Sequence, residues 1–431
     1  MIQAVAQPAA TNLASRVDRW YTSALVMSVH EQLASTIVRR GFGLKEEIKW
    51  PMAADYHSAL VDRMKAEGYQ LTVGPLSFRL AQEFGFCYGV DFALDLAYET
   101  RYKFPDRRIF LISEIIHNPR VNTRLQELGI RFLKTSDGPM MDLDEVTPED
   151  VIIVPAFGAT VAEMERLRQK GCVVVDTTCG SVIAVWKRVE RYARDGFTAI
   201  IHGKYNHEET RATASQAMRF PGGRYLIVLD KQEAATVCHY IVHGGDKAAF
   251  LSQFAQAVSP DFDPDRDLQY VGLANQTTML SSESLEIAEM FRQAIMQRYG
   301  PEQVGERFRS FDTICSATQN RQDAVQKLVQ QNVDLMIVIG GYNSSNTNHL
   351  CEIASQYVPT YHINEVDCIV SDRHIRHQPA LCHEEVISEG WLPDGSVIIG
   401  ITAGASTPNR VIGEVIERIV ACRGLSLAPD E

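Results

Sequence analysis

DTTCGSVIAVWKRVERYARDGFTAIIHGKYNH, residues 176–207, carries the pattern that decides the fold. A short polar loop holds Cys179. A helical stretch follows over 181–194, then a strand over 197–202, then the polar pair Asn206 and His207. The same order recurs twice. FCYGV at 86–90 leads into a helical pattern at 91–102, a strand at 108–115 and the pair His117 and Asn118. DTICS at 312–316 leads into a helix at 318–330, a strand at 334–340 and the pair Asn343 and Ser344. The distance from cysteine to asparagine is 31, 27 and 28 residues.

Each polar pair is followed by another helical pattern and a second strand, at 130–134, 224–229 and 360–363. Each unit also holds a strand that ends in a small-residue turn: 151–154 before FGAT (157–160), 270–273 before NQTT (275–278), and 397–402 before GAST (404–407). Strands alternating with helices of about twelve residues predict βαβ units and mostly parallel sheets. In such sheets the loops at the carboxyl ends of the strands form the site. The expected fold is α/β, with three pseudo-repeated units that bring the cysteine loops, polar pairs and small-residue turns towards one central cleft, plus an N-terminal extension. Any α/β chain alternates strand and helix, so the repeat rests on the recurring D-T-x-C and on the Asn with His or Ser after the next strand. The boundaries read as an extension at 1–78, a first unit at 79–175 with a contribution from the C-terminal region, a second at 176–311, a third at 312–420 and a tail at 421–431. The extension contains a short helical pattern at 29–38, a basic RRGFG turn at 39–43 and a helix-like region at 53–67. It reads as packing on the core or contacting a partner.

The chain has 431 residues, enough for two or three domains with sizeable cores, and a net charge of -12. That charge argues against bulk attraction to nucleic acid or an anionic membrane, so an anionic substrate would need local positive potential. No apolar run reaches a membrane span, and the first residues lack a basic segment followed by an apolar one. A cytoplasmic location is expected, or the plastid stroma if the source is a plant or alga. The nine cysteines are odd in number and widely spaced, which suits a reducing compartment.

Cys87, Cys179 and Cys315 each sit at a loop–helix junction rich in Gly, Ser or Thr. Small residues leave backbone N–H groups free to stabilise thiolates. Asp176 and Asp312 are placed to brace two of the loops. One reading is three buried structural cysteines; another is zinc, although no close C-x₂₋₄-C pair occurs. The third is one [4Fe–4S] cluster per chain on three cysteine ligands, with one iron open to substrate. Cys368 and Cys382 flank a His-containing stretch that could form a second metal site.

His117, His207, Thr277, Thr278, Ser344, Ser345, Asn346 and Ser406 fall at equivalent turns. Together they offer the many donors a phosphate or diphosphate needs, although a single Ser or Thr there also reads as an N-cap. No G-x-x-x-x-G-K-[ST] loop and no G-x-G-x-x-G fingerprint occurs, so neither ATP nor nicotinamide binding is indicated. Glu209, two residues after His207, would have a raised pKa if held out of water, and could donate a proton. It also reads as a surface or capping carboxylate. Lys204 is either turned to the anion or exposed.

In order along residues 79–420, GFCYGV (85–90), IHNP (116–119), DTTC (176–179), NHEE (206–209), NQTT (275–278), DTIC (312–315), NSSNTN (343–348) and TAGAS (402–406) resemble the 4-hydroxy-3-methylbut-2-enyl diphosphate reductase (IspH or LytB) family. The RRGFG extension resembles its longer, cyanobacterial and plastid form. The resemblance implies a trefoil around a central [4Fe–4S] cluster ligated by Cys87, Cys179 and Cys315. It implies reduction of the allylic diphosphate alcohol to isopentenyl and dimethylallyl diphosphate, with ferredoxin or flavodoxin as electron donor. It places the diphosphate on His117, His207, Ser344, Ser345, Asn346 and Ser406, and the proton relay on Glu209 with Thr277. Many bacterial members carry Ala-His-Gly where this chain has Ala156-Phe157-Gly158. Phe157 cannot donate to an oxyanion, so Thr160, a helix N-terminus or simply fewer donors would serve there. The chain could act as monomer or homodimer. The rival readings are an iron–sulfur hydro-lyase and a non-enzymatic iron–sulfur redox sensor; a sensor has no need of Glu209 and its polar neighbours.

Overall fold

The computed structural model describes residues 37–135, 138–311, 313–382 and 384–427. It is an α/β structure with three main sheets. One has the strand order Ile37–Val38, Val173–Asp176, Val151–Val154, Ile109–Leu111, Ile130–Phe132, with every pairing parallel. A second runs Arg224–Val228, Thr198–His202, Val271–Asn275, Phe308–Ser310, again parallel throughout. The third runs Thr360–Ile363, Leu335–Ile339, Val397–Ala403, Leu76–Leu80, Gln70–Val73, and only its last pairing is antiparallel.

Central strands such as Val151–Val154, Thr198–His202 and Leu335–Ile339 are buried at every position. That is the burial of parallel strands covered by helices on both faces, and it explains their continuous rather than alternating hydrophobicity. The helices that matter for the site are α1 (Tyr88–Lys103), α2 (Pro119–Glu127), α3 (Gly180–Arg194), α4 (Glu208–Ala217), α5 (Ser316–Val329) and α6 (Ser345–Ser355). Each starts at the carboxyl side of a strand. Asn118 caps α2 by accepting the Val121 N–H, and Ser344 caps α6 by accepting the Thr347 N–H.

Two features of the extension differ from the sequence reading. Most of the helical pattern at 29–38 lies outside the described residues, and its end, Ile37–Val38, is a strand pairing with Val174 and Val175 instead. Two β-branched residues complete the edge of a sheet better than they extend a helix. The helix-like region at 53–67 is two helices, Lys45–Tyr56 and Ala59–Ala66, separated where Ser58 caps the second. The RRGFG turn packs on the core: Arg39 pairs with Asp176 at 2.8 Å and the Phe42 N–H donates to Glu99.

Candidate functional site

The three cysteines occupy one structural role. Each is the N-cap of a helix, Cys87 of α1, Cys179 of α3 and Cys315 of α5. Each has its amide tied to a small-residue turn: Cys87 N donates to Ala405 O, Cys179 N to Ala156 O and Cys315 N to Thr277 O, at 3.0–3.3 Å. The thiols are drawn to a common region. A methyl group on Gly89 would meet Cys179 Sγ at 2.6 Å and Cys87 Sγ at 3.9 Å, so only glycine fits between them. Burial pushes the Cys87 and Cys315 thiols up from their ordinary pKa, and each also feels a neighbouring thiol of the three. Asp176 braces the Cys179 loop through the Thr178 amide and hydroxyl. Asp312 lies outside the described residues.

Next to the thiols is a proton-handling group. Glu209 is buried, and its Oε1 and Oε2 accept from the amide and hydroxyl of Thr277 at 2.6 and 3.0 Å. Burial outweighs those two bonds and raises its pKa to about 7. His207 caps α4 and its Nδ1 accepts the Glu209 N–H at 3.1 Å. Burial, with His117 and Lys204 nearby, holds its pKa well below the ordinary histidine value. The neutral ring therefore carries its proton on Nε2, which faces His117 Nε2 at 3.1 Å. His117 Nε2 must then accept, leaving its Nδ1–H to donate to Glu114 Oε2 at 3.1 Å. Phe157 stacks on His117 with ring centroids 4.3 Å apart, and its edge meets His207.

His117, His207, Lys134, Lys204 and Asn348 line a cavity of about 620 Å³ that opens from this group. Lys204 faces it with a pKa lowered by burial. Ser344, Ser345 and Asn346 are buried at the start of α6, and Thr278 and Ser406 are half-buried. The Asn346 Oδ1 accepts the Ala405 N–H, while its buried Nδ2 has no partner among the described residues. An unpaired buried amide donor is costly unless a ligand completes it. Ser344 spends its oxygen on capping α6. Thr160 does not substitute for a missing histidine, because its hydroxyl and amide are both bonded to Glu163 in a capping box.

The cofactor expectation is corrected. Among the described residues the group able to converge on one metal ion is His117, His207 and Glu208, whose donor atoms all lie within 4.8 Å of one another. The three thiols, although they face one region, are not such a group among the described residues. The structure therefore supports a metal-binding set of two imidazoles and a carboxylate, not one [4Fe–4S] cluster on three cysteine ligands. No comparable group forms around Cys368 and Cys382 among the described residues; Cys368 is buried and hydrogen-bonds Asn364.

The LytB protein family matches residues 78–420. A 4-hydroxy-3-methylbut-2-enyl diphosphate reductase from Thermosynechococcus vestitus is 50% identical over 406 residues, covering 94% of this chain and 99% of that one. The chain belongs to the LytB family. A second relative of the same description, from Gloeobacter violaceus, is 51% identical over 391 residues, 90% of this chain and 93% of its own. The solved E-1-hydroxy-2-methyl-but-2-enyl-4-diphosphate reductase from Plasmodium falciparum shares the fold, with a TM-score of 0.57 and 21% identity over 80% of this chain and 87% of that one. As a LytB-family member the chain is an enzyme, an iron–sulfur oxidoreductase of the non-mevalonate isoprenoid route. No helix among the described residues is long and apolar enough to cross a membrane.

Two site residues had no role assigned to them from the sequence. Gln276 is fully buried; its Oε1 accepts from the Lys204 amide and the Thr210 hydroxyl, and its Nε2 donates to Thr278 and Ser345. It ties three turns together, and its place inside the quoted NQTT turn was the available clue. Arg321 is buried on α5 and donates to the carbonyls of Gly85, Phe86 and Ala317, behind Cys87. A basic residue on the apolar face of a predicted helix was its clue.

Proposed function

We propose that this chain reduces 4-hydroxy-3-methylbut-2-enyl diphosphate to isopentenyl and dimethylallyl diphosphate with loss of water, in a metal-dependent reaction. The observation that carries the reading is the buried Glu209 carboxyl, protonated near neutrality and held by Thr277 beside a histidine-lined cavity. Loss of hydroxide from an allylic carbon needs a proton on the departing oxygen, and a carboxyl with a pKa near 7 is matched to supply it.

In this reading His207 donates its Nε2 proton to the diphosphate, and His117 turns from His207 to the same anion. Asn346 Nδ2 completes its bonding there, with Ser344, Ser345, Thr278 and Ser406 around it. Lys204 supplies a local positive charge to a chain of net charge -12; Lys134 lines the same cavity but is paired with Glu163 at 3.3 Å. Thr277 relays the Glu209 proton. Cys87, Cys179 and Cys315 place soft thiol donors on one side of the basin. The matching amide ties of the three cysteines support three similar α/β units arranged as a trefoil about this basin. The electrons come from ferredoxin or flavodoxin. Cysteines that are all free suit the reducing cytoplasm.

The test is anaerobic incubation of the purified protein with the diphosphate alcohol and a strong reductant. The reading expects both isomeric diphosphates to appear, and expects Glu209→Gln to slow their formation by about 10²–10⁴-fold while leaving the circular dichroism unchanged. Normal turnover by that variant would remove Glu209 from the mechanism.

A further inference from the structure

We infer that the exposed face of α3, next to Tyr88, is the docking surface for a small acidic one-electron carrier protein. The inference rests on the reductase reading and deepens it by locating the partner. The reaction balances as alcohol plus two electrons plus two protons giving the deoxygenated diphosphate plus water. The C–O bond breaks, water leaves, and each of two reduced iron–sulfur carriers is oxidised by one electron. The chain has no nicotinamide fingerprint, so these electrons enter from outside.

Tyr88 is 60% exposed, unusual for a large aromatic side chain at the head of a helix. Its Oη lies 3.8 Å from Cys179 Sγ and 3.2 Å from Ser181 Oγ, in the first turn of α3. The ring thus reaches from solvent to a thiol of the basin. From that contact the solvent face of α3 runs outward through Ala184, Lys187, Arg191 and Arg194, all exposed, at the spacing of one helical face. Arg188 lies beside this row, over the exposed ring of Phe311 at 4.1 Å.

Two acids interrupt the row. Glu190 is taken up by Arg219; Asp195 sits closest to Arg309, at 2.6 Å, with Arg191 and Arg194 at 3.9 and 3.8 Å, so one carboxylate is shared among three guanidinium groups. Cations therefore dominate this face in a chain whose net charge is -12. On the other side of Tyr88, Asp95 of α1 is paired with Lys45 and Asp91 feels Arg321. An acidic protein is steered to α3, with Tyr88 supplying an apolar contact of the limited size that transient redox encounters use.

The experiment compares two reductants with the holoenzyme: a reduced plant-type [2Fe–2S] ferredoxin and reduced methyl viologen. Lys187→Glu with Arg191→Glu should raise the KM for ferredoxin about tenfold or more and leave viologen-driven kcat unchanged. Ferredoxin-driven turnover of the native enzyme should also fall as salt is raised, while the viologen rate stays flat. An unchanged ferredoxin KM, or equal losses with both reductants, would overturn the docking surface. Native enzyme inactive with both reductants would instead contradict the reductase reading itself.

Discussion

One residue, Thr277, holds both oxygens of the Glu209 carboxyl: its amide donates to Oε1 at 2.6 Å and its hydroxyl meets Oε2 at 3.0 Å. The amide can only donate, so a proton on the neutral carboxyl belongs on Oε2. The bond to the hydroxyl then reverses. Glu209 donates to Thr277 Oγ1, and the threonine hydrogen is free to point at a departing oxygen. Two short hydrogen bonds thus form a relay whose direction depends on the carboxyl's charge.

The pH dependence follows. Burial raises the Glu209 pKa to about 7, so the proton is present below that value and lost as pH rises through it. Turnover should therefore decline on the alkaline side, by about tenfold per pH unit once well above 7. Glu209→Gln cannot titrate, so its residual rate, lower by about 10²–10⁴-fold, should show no such decline. The pH–rate profiles of the two proteins, corrected for stability, check this.

The imidazole pair gives a different signature. His207 holds its proton on Nε2, facing the anion cavity, because its Nδ1 is occupied by the Glu209 amide. His207→Ala should raise the substrate KM, and a lost bond to a charged group is worth about 1.5–3 kcal/mol, roughly a ten- to hundredfold change. Steady-state kinetics that show kcat falling with KM unchanged would assign His207 to the chemical step instead of to binding.

His117, His207 and Glu208 present donors compact enough for a borderline metal ion. Added zinc should occupy them and compete with the diphosphate. The inhibition should be overcome by substrate and should weaken sharply in His117→Ala. Metal ions compete with protons for ligand atoms, so the inhibition should strengthen as pH rises. Isothermal titration with zinc at two pH values measures it.

Arg321 offers a stability test away from the chemistry. Its guanidinium satisfies two carbonyls of the Cys87 loop, Gly85 and Phe86, and bonds Ala317 on its own helix. Arg321→Met keeps the volume and removes every donor, and leaving buried acceptors unpaired costs about 1–3 kcal/mol. A lowered thermal midpoint is expected, together with weaker activity as the Cys87 loop loosens.

Much of this architecture was legible in residue order alone. The strands after the second and third cysteine loops sit within a residue of their expected places, because apolar runs are local signals, whereas the first, expected over 108–115, spans only Ile109–Leu111. Thr360–Ile363 and Val151–Val154 fall at the expected residues. What was not legible is the work of distant partners. Nothing near Phe157 says that its ring lies flat on His117, and nothing near Gln276 says that it joins turns from residues 204, 278 and 345. The end of the 29–38 pattern became a strand because a sheet edge at Val174 was available to pair with it. The metal-ligand set differed for a related reason. Spacing singled out the cysteines, whereas the compact donor group joins His117 to residues 90 positions further along.

The central claim is net reduction, and electron stoichiometry tests it most directly. Anaerobic titration of the reaction with a reductant of known concentration should consume two electrons for each molecule of isopentenyl or dimethylallyl diphosphate formed. Water loss from the alcohol with no reductant consumed would contradict the account and make the chain a hydro-lyase.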